Sequence, residues 1–248
     1  MPWTLFAQWL GCGMIEALAW SRRWLGIDPG EAVASRSSSL PPAKPFVQDL
    51  ARWPHPWKAA TPIARTLAER YLRGRGLQLK DPTGRVLRYA SQRARKSPQG
   101  DLEYHPALLA ALSDARTGEQ AGIINIYLKP DGRDRLRDRK GKTVTGRAKG
   151  AVVMLSDFDK PTAGLILCEG VETGIALLMA KMAPVWACGG AGLLKYFQVL
   201  GGIEALTIAA DADKPGQQAA ETLAARWRNA RREVAIIAPP AGDWAEKP

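Results

Sequence analysis

Three carboxylates stand where apolar, strand-like runs of the chain give way to polar segments. Glu169 follows the run AGLILC, and Asp211 and Asp213 follow the run EALTIAA. Residues two apart on a strand point to the same side, so Asp211 and Asp213 are expected to face one ion together. Carboxylate oxygens suit Mg²⁺, which bridges to substrate phosphates. The pattern therefore predicts a metal site for phosphate chemistry, and Gly170 and Gly216 would let a ligand approach the backbone beside it.

The same aspartates also have a simpler interpretation as helix caps. Aspartate is a favoured N-cap residue, and Asp213 stands shortly before Pro215, which suits the first turn of a helix. Taken alone, the Asp-x-Asp pattern at a strand end favours this capping role. The pairing with the segment CEGVETG, one strand-helix unit earlier, favours the metal site.

The last third of the chain alternates between strand and helix patterns. The predicted strands are AGLILCEG, PVWACGG, EALTIAADAD and EVAIIAPP, and the predicted helices between them are VETGIALLMAKM, AGLLKYFQVL and GQQAAETLAARWRNA. Such alternation with continuous apolar strands predicts an α/β fold, with a mostly parallel sheet that carries helices on both faces. Ligands of such sheets bind at the carboxyl ends of the strands, which is where all three acids are expected.

Two further regions are predicted before this α/β domain of residues 161–248. Residues 1–45 form a helical segment followed by a linker rich in Pro and Ser. Residues 46–160 form a small α+β domain, in which Thr61 would cap a helix that begins at Pro62. The segments RVLRYA, AGIINIYL and AVVML are predicted strands of an antiparallel sheet, with turns at ARTGEQ and KPDGRD.

The charge balance favours a polyanionic partner. The 248 residues include 35 Lys and Arg against 24 Asp and Glu, a net charge of +11. A basic surface that serves only solubility is the alternative. Residues 129–150 read as a mobile basic loop that could follow a phosphate backbone, or as a solvated charged loop. The candidate nucleic-acid-binding residues are Arg88, Arg93, Arg95, Lys96, Arg133, Arg135, Arg137, Arg139, Lys140 and Lys142.

Several classes of protein are disfavoured by the composition. The three cysteines are too far apart for a zinc knuckle and odd in number for a disulfide framework, so we expect no zinc and a reducing cytoplasm. No uncharged apolar run is long enough to predict a membrane span. The glycine turn ACGGAGLL lacks the Lys and Ser/Thr of a P-loop, which argues against an ATP-driven helicase.

The two acidic segments resemble the Toprim domain, which bacterial primases, topoisomerases and some nucleases share. LILCEGVETGIALLMA resembles its glutamate motif, and LTIAADADKPGQQAA resembles its Asp-x-Asp motif with the downstream glycine. TLAERYLRGRGL, HPALLAAL, IYLKPDG and AVVML are similar to the domain before Toprim in phage- and plasmid-type primases and primase-helicases. The zinc ribbon with which such primases usually begin has no counterpart here.

The resemblance implies Mg²⁺- or Mn²⁺-dependent nucleotidyl transfer. Glu169 would be the general acid/base or a metal ligand, Asp211 and Asp213 would hold the metal, and Asp243 would add a carboxylate. The expected activity is primase: RNA primer synthesis on a single-stranded DNA template from nucleoside triphosphates, with a replicative helicase as a candidate partner. The alternatives are a Toprim nuclease that hydrolyses phosphodiesters and a non-catalytic DNA-binding accessory protein.

Overall fold

The computed structural model describes residues 55–161, 163–239 and Trp244. These residues all belong to one compact unit, Leu40–Pro248. The predicted N-terminal helical segment and linker, and Asp243, lie outside the described residues. None of the described helices is long and apolar enough to cross a membrane.

The first half of the described chain is built on an antiparallel sheet. Its strands are β1 (Thr61–Pro62), β2 (Leu87–Lys96), β3 (Leu102–Asp114), β4 (Gln120–Tyr127), β5 (Lys142–Gly146) and β6 (Ala151–Val152). The strands lie in the order β1-β2-β3-β4-β5, and β6 pairs with β3. Two helices accompany the sheet, the single turn α1 (His55–Lys58) and α2 (Leu67–Gly74). The predicted antiparallel sheet is confirmed.

The second half is the predicted parallel sheet. Its elements are β7 (Gly164–Cys168), α3 (Val171–Met179), β8 (Val185–Ala187), α4 (Ala191–Leu194), β9 (Ala205–Ala209), α5 (Lys214–Asn229) and β10 (Glu233–Ile237). The strand order is β10-β9-β7-β8, and every pairing is parallel. Buried apolar residues of the strands and helices form two clusters. Cys168 and Val171 belong to one, and Trp186 and Trp227 belong to the other.

The two sheets meet at Val153. This residue follows β6 and forms an antiparallel bridge with Ala187 of β8. The N–H of Val153 donates to the carbonyl of Ala187 at 2.7 Å, and the N–H of Ala187 donates back at 2.9 Å. Three residues later, the N–H of Ser156 donates to the carbonyl of Val185 at 3.0 Å. The connection between the sheets therefore runs along the outer edge of β8.

Four details differ from the sequence predictions. Thr61 and Pro62 do not begin a helix: they pair with Tyr89 and Arg88 as β1, and α2 begins at Leu67 after Thr66. The backbone of Arg65 has a φ of 61°, which no right-handed helix can include. The segment AGLLKYFQVL forms only the four-residue α4.

The remaining two differences concern the region before the parallel sheet. HPALLAAL was not predicted as a strand, yet it lies within β3, the longest strand of the sheet. The basic segment 129–150 is not a mobile loop throughout, because it contains β5, which pairs with β4 over five residues. Its first part turns back on itself, with a bridge between Leu128 and Arg135.

Candidate functional site

Glu169 and Asp211 lie at the same edge of the parallel sheet. Glu169 directly follows β7, and Asp211 comes two residues after the end of β9. These strands are parallel neighbours, and their last residues, Cys168 and Ala209, pair with each other. The expectation that the acids gather at the carboxyl ends of the strands therefore agrees with the structure.

Asp213 lies in the same place but does not continue the strand. It is the N-cap of α5, and its Oδ1 accepts a hydrogen bond of 2.8 Å from the N–H of Gly216. The idea that Asp211 and Asp213 face one side of a strand is wrong, because β9 ends at Ala209. The capping interpretation of Asp213 is correct. It does not remove the carboxylate from the site, since its charge still acts on Glu169.

Gly216, in the first turn of α5, leaves room for the acids because it has no side chain. A Cβ atom on this residue would overlap Oε1 of Glu169 and would lie 2.9 Å from Oδ1 of Asp213 and 3.0 Å from the carbonyl oxygen of Asp211. No side chain fits this position without displacing one of these atoms. Gly216 thus lets the helix backbone sit directly against the acids. Gly170, the N-cap of α3, has more room: a Cβ there would first meet Oγ1 of Thr173 at 3.3 Å.

The carboxylate of Glu169 is buried among like charges. Its side chain is only 5% exposed, and no described residue donates a hydrogen bond to Oε1. Burial raises the pKa of Glu169 to about 7, and the charges of Asp211 and Asp213 add to this effect. The backbone N–H of Asp211 and the charge of Lys142 act in the opposite direction. Such a carboxylate gains from binding either a proton or a cation.

The side chains of Glu169, Asp211 and Asp213 offer only oxygen atoms as ligands, and hard cations prefer oxygen. Among the described residues, however, no three His, Cys, Asp or Glu side chains are grouped closely enough to form a metal site by themselves. The metal-ligand roles of Glu169, Asp211, Asp213 and Asp243 therefore stay predictions. Oε1 of Glu169, which is buried and has no described hydrogen-bond donor, is an oxygen that a cation could bind.

Sequence reasoning missed a further acid, Glu172, in the first turn of α3. The hydroxyl of Tyr71, a fully buried residue of α2, donates a hydrogen bond of 2.9 Å to Oε1 of Glu172. Burial opposes ionisation of Glu172, but the charge of Lys142 and the bond from Tyr71 outweigh it, and its pKa is lowered. Glu172 thus holds its proton less tightly than Glu169 does.

Lys142 was predicted to bind nucleic acid from a loop, but the structure places it at the first position of β5. Its charge lowers the pKa of both Glu169 and Glu172, so it lies close enough to influence the acidic site. The sequence spacing between Lys142, Tyr71 and Glu172 gave no signal for this group, because the three residues come from separate elements.

The other predicted basic residues fall into two groups. Three of the arginines contact other groups of the protein. Arg88 donates to the carbonyl of Trp57 at 3.0 Å, and Arg93 donates to Oδ1 of Asn125 at 2.9 Å. Arg95 pairs with the carboxylates of Glu103 and Asp138 at 2.7 and 2.8 Å. Lys96, Arg133, Arg137 and Arg139 are exposed, and Arg135, Lys140 and Lys142 are partly buried. Their role in nucleic-acid binding stays a prediction.

The described chain is an antiparallel β domain followed by a parallel α/β domain with acids at the carboxyl ends of its strands. Comparison with protein families assigns a class to the second domain: residues 164–248 match the family model described as the Toprim domain. Residues 49–155 match a family model described as a domain of unknown function, DUF7146. A comparison with curated proteins found no match.

A solved primase domain shares the fold. The chain is similar to a DNA primase domain from Pseudomonas aeruginosa, with a TM-score of 0.51 and 16% identity over 73% of this chain and 67% of that one. It is also similar to the primase fragment of the bacteriophage T7 primase-helicase protein, with a TM-score of 0.45 and 17% identity over 75% of this chain and 67% of that one. Residues 164–248 thus match a Toprim domain, and the chain shares its fold with the solved primase domain from Pseudomonas aeruginosa.

Proposed function

We propose that the protein catalyses metal-dependent nucleotidyl transfer, and that its reaction is the synthesis of an RNA primer on single-stranded DNA from nucleoside triphosphates. One observation carries the proposal: Glu169, in the glutamate motif of a Toprim domain, has a buried carboxylate oxygen with no described hydrogen-bond donor and faces two further acids. The primase-type fold of the described residues supports primase over other Toprim activities.

Glu169, Asp211 and Asp213 would hold Mg²⁺ or Mn²⁺. The bound ion would neutralise charge that develops on the phosphate and help to orient the attacking hydroxyl. As the alternative to binding the metal, Glu169, whose pKa is near 7 without a cation, is suited to accept the proton of that hydroxyl at neutral pH. The partly buried Lys142 supplies positive charge near the acids, which a triphosphate would also need.

The direct test is incubation of the protein with single-stranded DNA, labelled ribonucleotides and Mg²⁺. We expect labelled primers that disappear on chelation and in the variants Glu169→Gln and Asp211→Asn. Glu221→Gln is a matched control, because Glu221 is an exposed acid of α5 that pairs with Arg228 at 3.6 Å. Primer synthesis that persists in both site variants would contradict the proposal. Shortened DNA in place of primers would indicate the nuclease instead.

A second candidate is a DNA-binding accessory protein without catalysis. It is favoured by one observation, the lack of a complete three-ligand group among the described residues. Titration calorimetry separates the two functions. Mg²⁺ binding that is lost in Glu169→Gln supports the enzyme, whereas DNA binding with no measurable Mg²⁺ binding at the acids supports the accessory protein.

A further inference from the structure

A second candidate site lies at the opposite end of β5 from Lys142. It is a cavity of about 210 Å³, open to solvent, between the β3–β4 turn, the loop from β5 to β6 and the segment that follows α4. Its charged and aromatic lining consists of Asp114, Arg116, Arg147, Lys149 and Tyr196. None of these residues belongs to the acidic site.

Positive charge in this cavity is only partly neutralised. Asp114 is the one carboxylate in the lining, and it is already engaged by Arg147 at 2.6 Å and by the backbone N–H groups of Arg116 and Thr117 at 2.8 and 3.2 Å. Burial opposes the charge of Asp114, but these donors outweigh it and lower its pKa, so the carboxylate remains ionised. The side chain of Arg116 and the ammonium group of Lys149 stay available to an anion.

Two lysines converge on one aromatic ring at the rim. The Nζ atoms of Lys149 and Lys195 lie 4.5 Å and 5.3 Å from the centroid of the Tyr196 ring, which is 39% exposed. Neither lysine forms an ion pair with a carboxylate in the described part of the chain. The ring attracts both ammonium groups and so keeps two positive charges close to one place on the surface. An anion beside the ring would be attracted by both.

The size of the cavity favours the phosphate groups of a strand over a whole nucleotide. Pockets that enclose a small molecule usually measure about 300 Å³ or more. At 210 Å³ and open to solvent, this cavity suits the backbone phosphates of a passing strand better than a whole nucleotide. The strand β5 links the two places, because it runs from Lys142, whose charge acts on the acids, to Gly146, which precedes Arg147 of the cavity lining. At the usual rise per residue, these two ends are roughly 13 Å apart.

We infer that this cavity binds the phosphate backbone of a single-stranded nucleic acid, at a distance of a few nucleotides from the acidic site. Lys149 and Lys195 contact the phosphates, Arg116 adds a third cation, and Tyr196 holds the two lysines in place. The inference deepens the proposed function, since it supplies a second contact for the strand on which the acidic site would act. The binding itself requires neither metal nor catalysis.

The test is binding of a fluorescein-labelled oligo(dT) strand, followed by fluorescence anisotropy in EDTA without nucleotides. In Lys149→Ala/Lys195→Ala we expect the affinity to fall about tenfold. The slope of log affinity against log salt should become shallower by about 1.4, because each lost contact with a single-strand phosphate changes it by about 0.7. Lys149→Arg/Lys195→Arg should bind as the wild type does. The matched control is Lys160→Ala/Lys181→Ala, which removes two exposed lysines away from the cavity.

Wild-type affinity and salt slope in the double alanine variant would overturn the inference. It would also be overturned if ATP bound in EDTA with an affinity that depends on both lysines while oligo(dT) binding did not, because the cavity would then be a mononucleotide site. The assay contains no metal and no substrate for polymerisation. A failure of primer synthesis would therefore leave its result unchanged, and the two proposals can fail separately.

Discussion

The backbone of Gly216 lies so close to Glu169 that a single methyl group on the glycine would overlap the carboxylate oxygen Oε1. This contact joins the first turn of α5 to the end of β7, and it keeps the charge of Glu169 beside Asp211 and Asp213. A larger, uncharged side chain at position 216 would therefore disturb the acidic site.

Gly216→Ala is expected to damage the site and the fold together. The added Cβ must displace Glu169, Asp213 or the backbone of Asp211, and such overpacking costs about 1–3 kcal/mol. We expect a lower free energy of unfolding by urea denaturation and weaker Mg²⁺ binding by calorimetry. Gly192→Ala is the control, because a Cβ on Gly192 meets no atom within 4 Å. Equal stability of the two variants would contradict the close contact.

Stability without metal should depend on the ionisation of Glu169. Burial and the neighbouring aspartates raise its pKa from 4.5 to about 7 in the folded protein, so the folded state binds the proton more tightly than the unfolded state. The contribution to stability is complete below pH ~4.5 and is lost as the pH rises through ~7. In EDTA, thermal unfolding should therefore occur at a lower temperature at pH 8 than at pH 5.

Glu169→Gln should remove this dependence. At pH 8 in EDTA we expect the variant to exceed the wild type by up to about 3 kcal/mol in the free energy of unfolding. Added Mg²⁺ should stabilise the wild type and not the variant. Glu221→Gln, an exposed change on α5, should leave the pH dependence as it is. A wild-type stability that is flat between these pH values in EDTA would show that Glu169 titrates normally.

The hydrogen bond from Tyr71 to Glu172 is expected to stabilise the contact between α2 and α3. In Tyr71→Phe, the partly buried carboxylate of Glu172 loses its donor, at a cost of about 1–3 kcal/mol. The loss should be largest at neutral pH, because the pKa of Glu172 is lowered and the bond weakens as the pH falls through that value. Urea denaturation at neutral and acidic pH measures this effect. Tyr104→Phe, at a tyrosine that is 59% exposed, should cost little.

Arg95 and Arg133 should respond differently to truncation, although the sequence assigns both to nucleic-acid binding. The Arg95 side chain is 5% exposed and bonds to Glu103 and Asp138, so Arg95→Ala should lower the free energy of unfolding by about 1–3 kcal/mol. The Arg133 side chain is 84% exposed, and Arg133→Ala should leave stability within about 0.5 kcal/mol. Anisotropy with labelled DNA then shows whether Arg133 contributes to binding. Equal destabilisation by both changes would contradict the structural role of Arg95.

The parallel sheet and its acidic edge could be predicted because the signals are local. Apolar strand runs alternate with helix patterns, and Glu169 and Asp211 follow two of these runs directly, so the carboxyl ends of neighbouring strands bring them together. The N-cap of α5 could be predicted for the same reason, since Asp213 and its partner Gly216 are three residues apart.

The elements that were missed depend on contacts far along the chain. Thr61 and Pro62 have the composition of a helix start, but pairing with β2 makes them a strand. β5 lies in a run of charged residues without an apolar pattern, and only its pairing with β4 identifies it. The group of Tyr71, Lys142 and Glu172 comes from three elements, so no spacing in the sequence relates its members. Local periodicity carries no information about such contacts.

The bridge between Val153 and Ala187 has a consequence for how the two halves can be separated. β8 is the last strand of its sheet, and a bare strand edge is a template on which another chain can add a strand and aggregate. The segment from Val153 to Ser156 occupies that edge with hydrogen bonds to Val185 and Ala187. The segment Val153–Ser156 thus covers this edge, and a Toprim fragment cut after Ser156 would expose the edge of β8 to pairing with other chains.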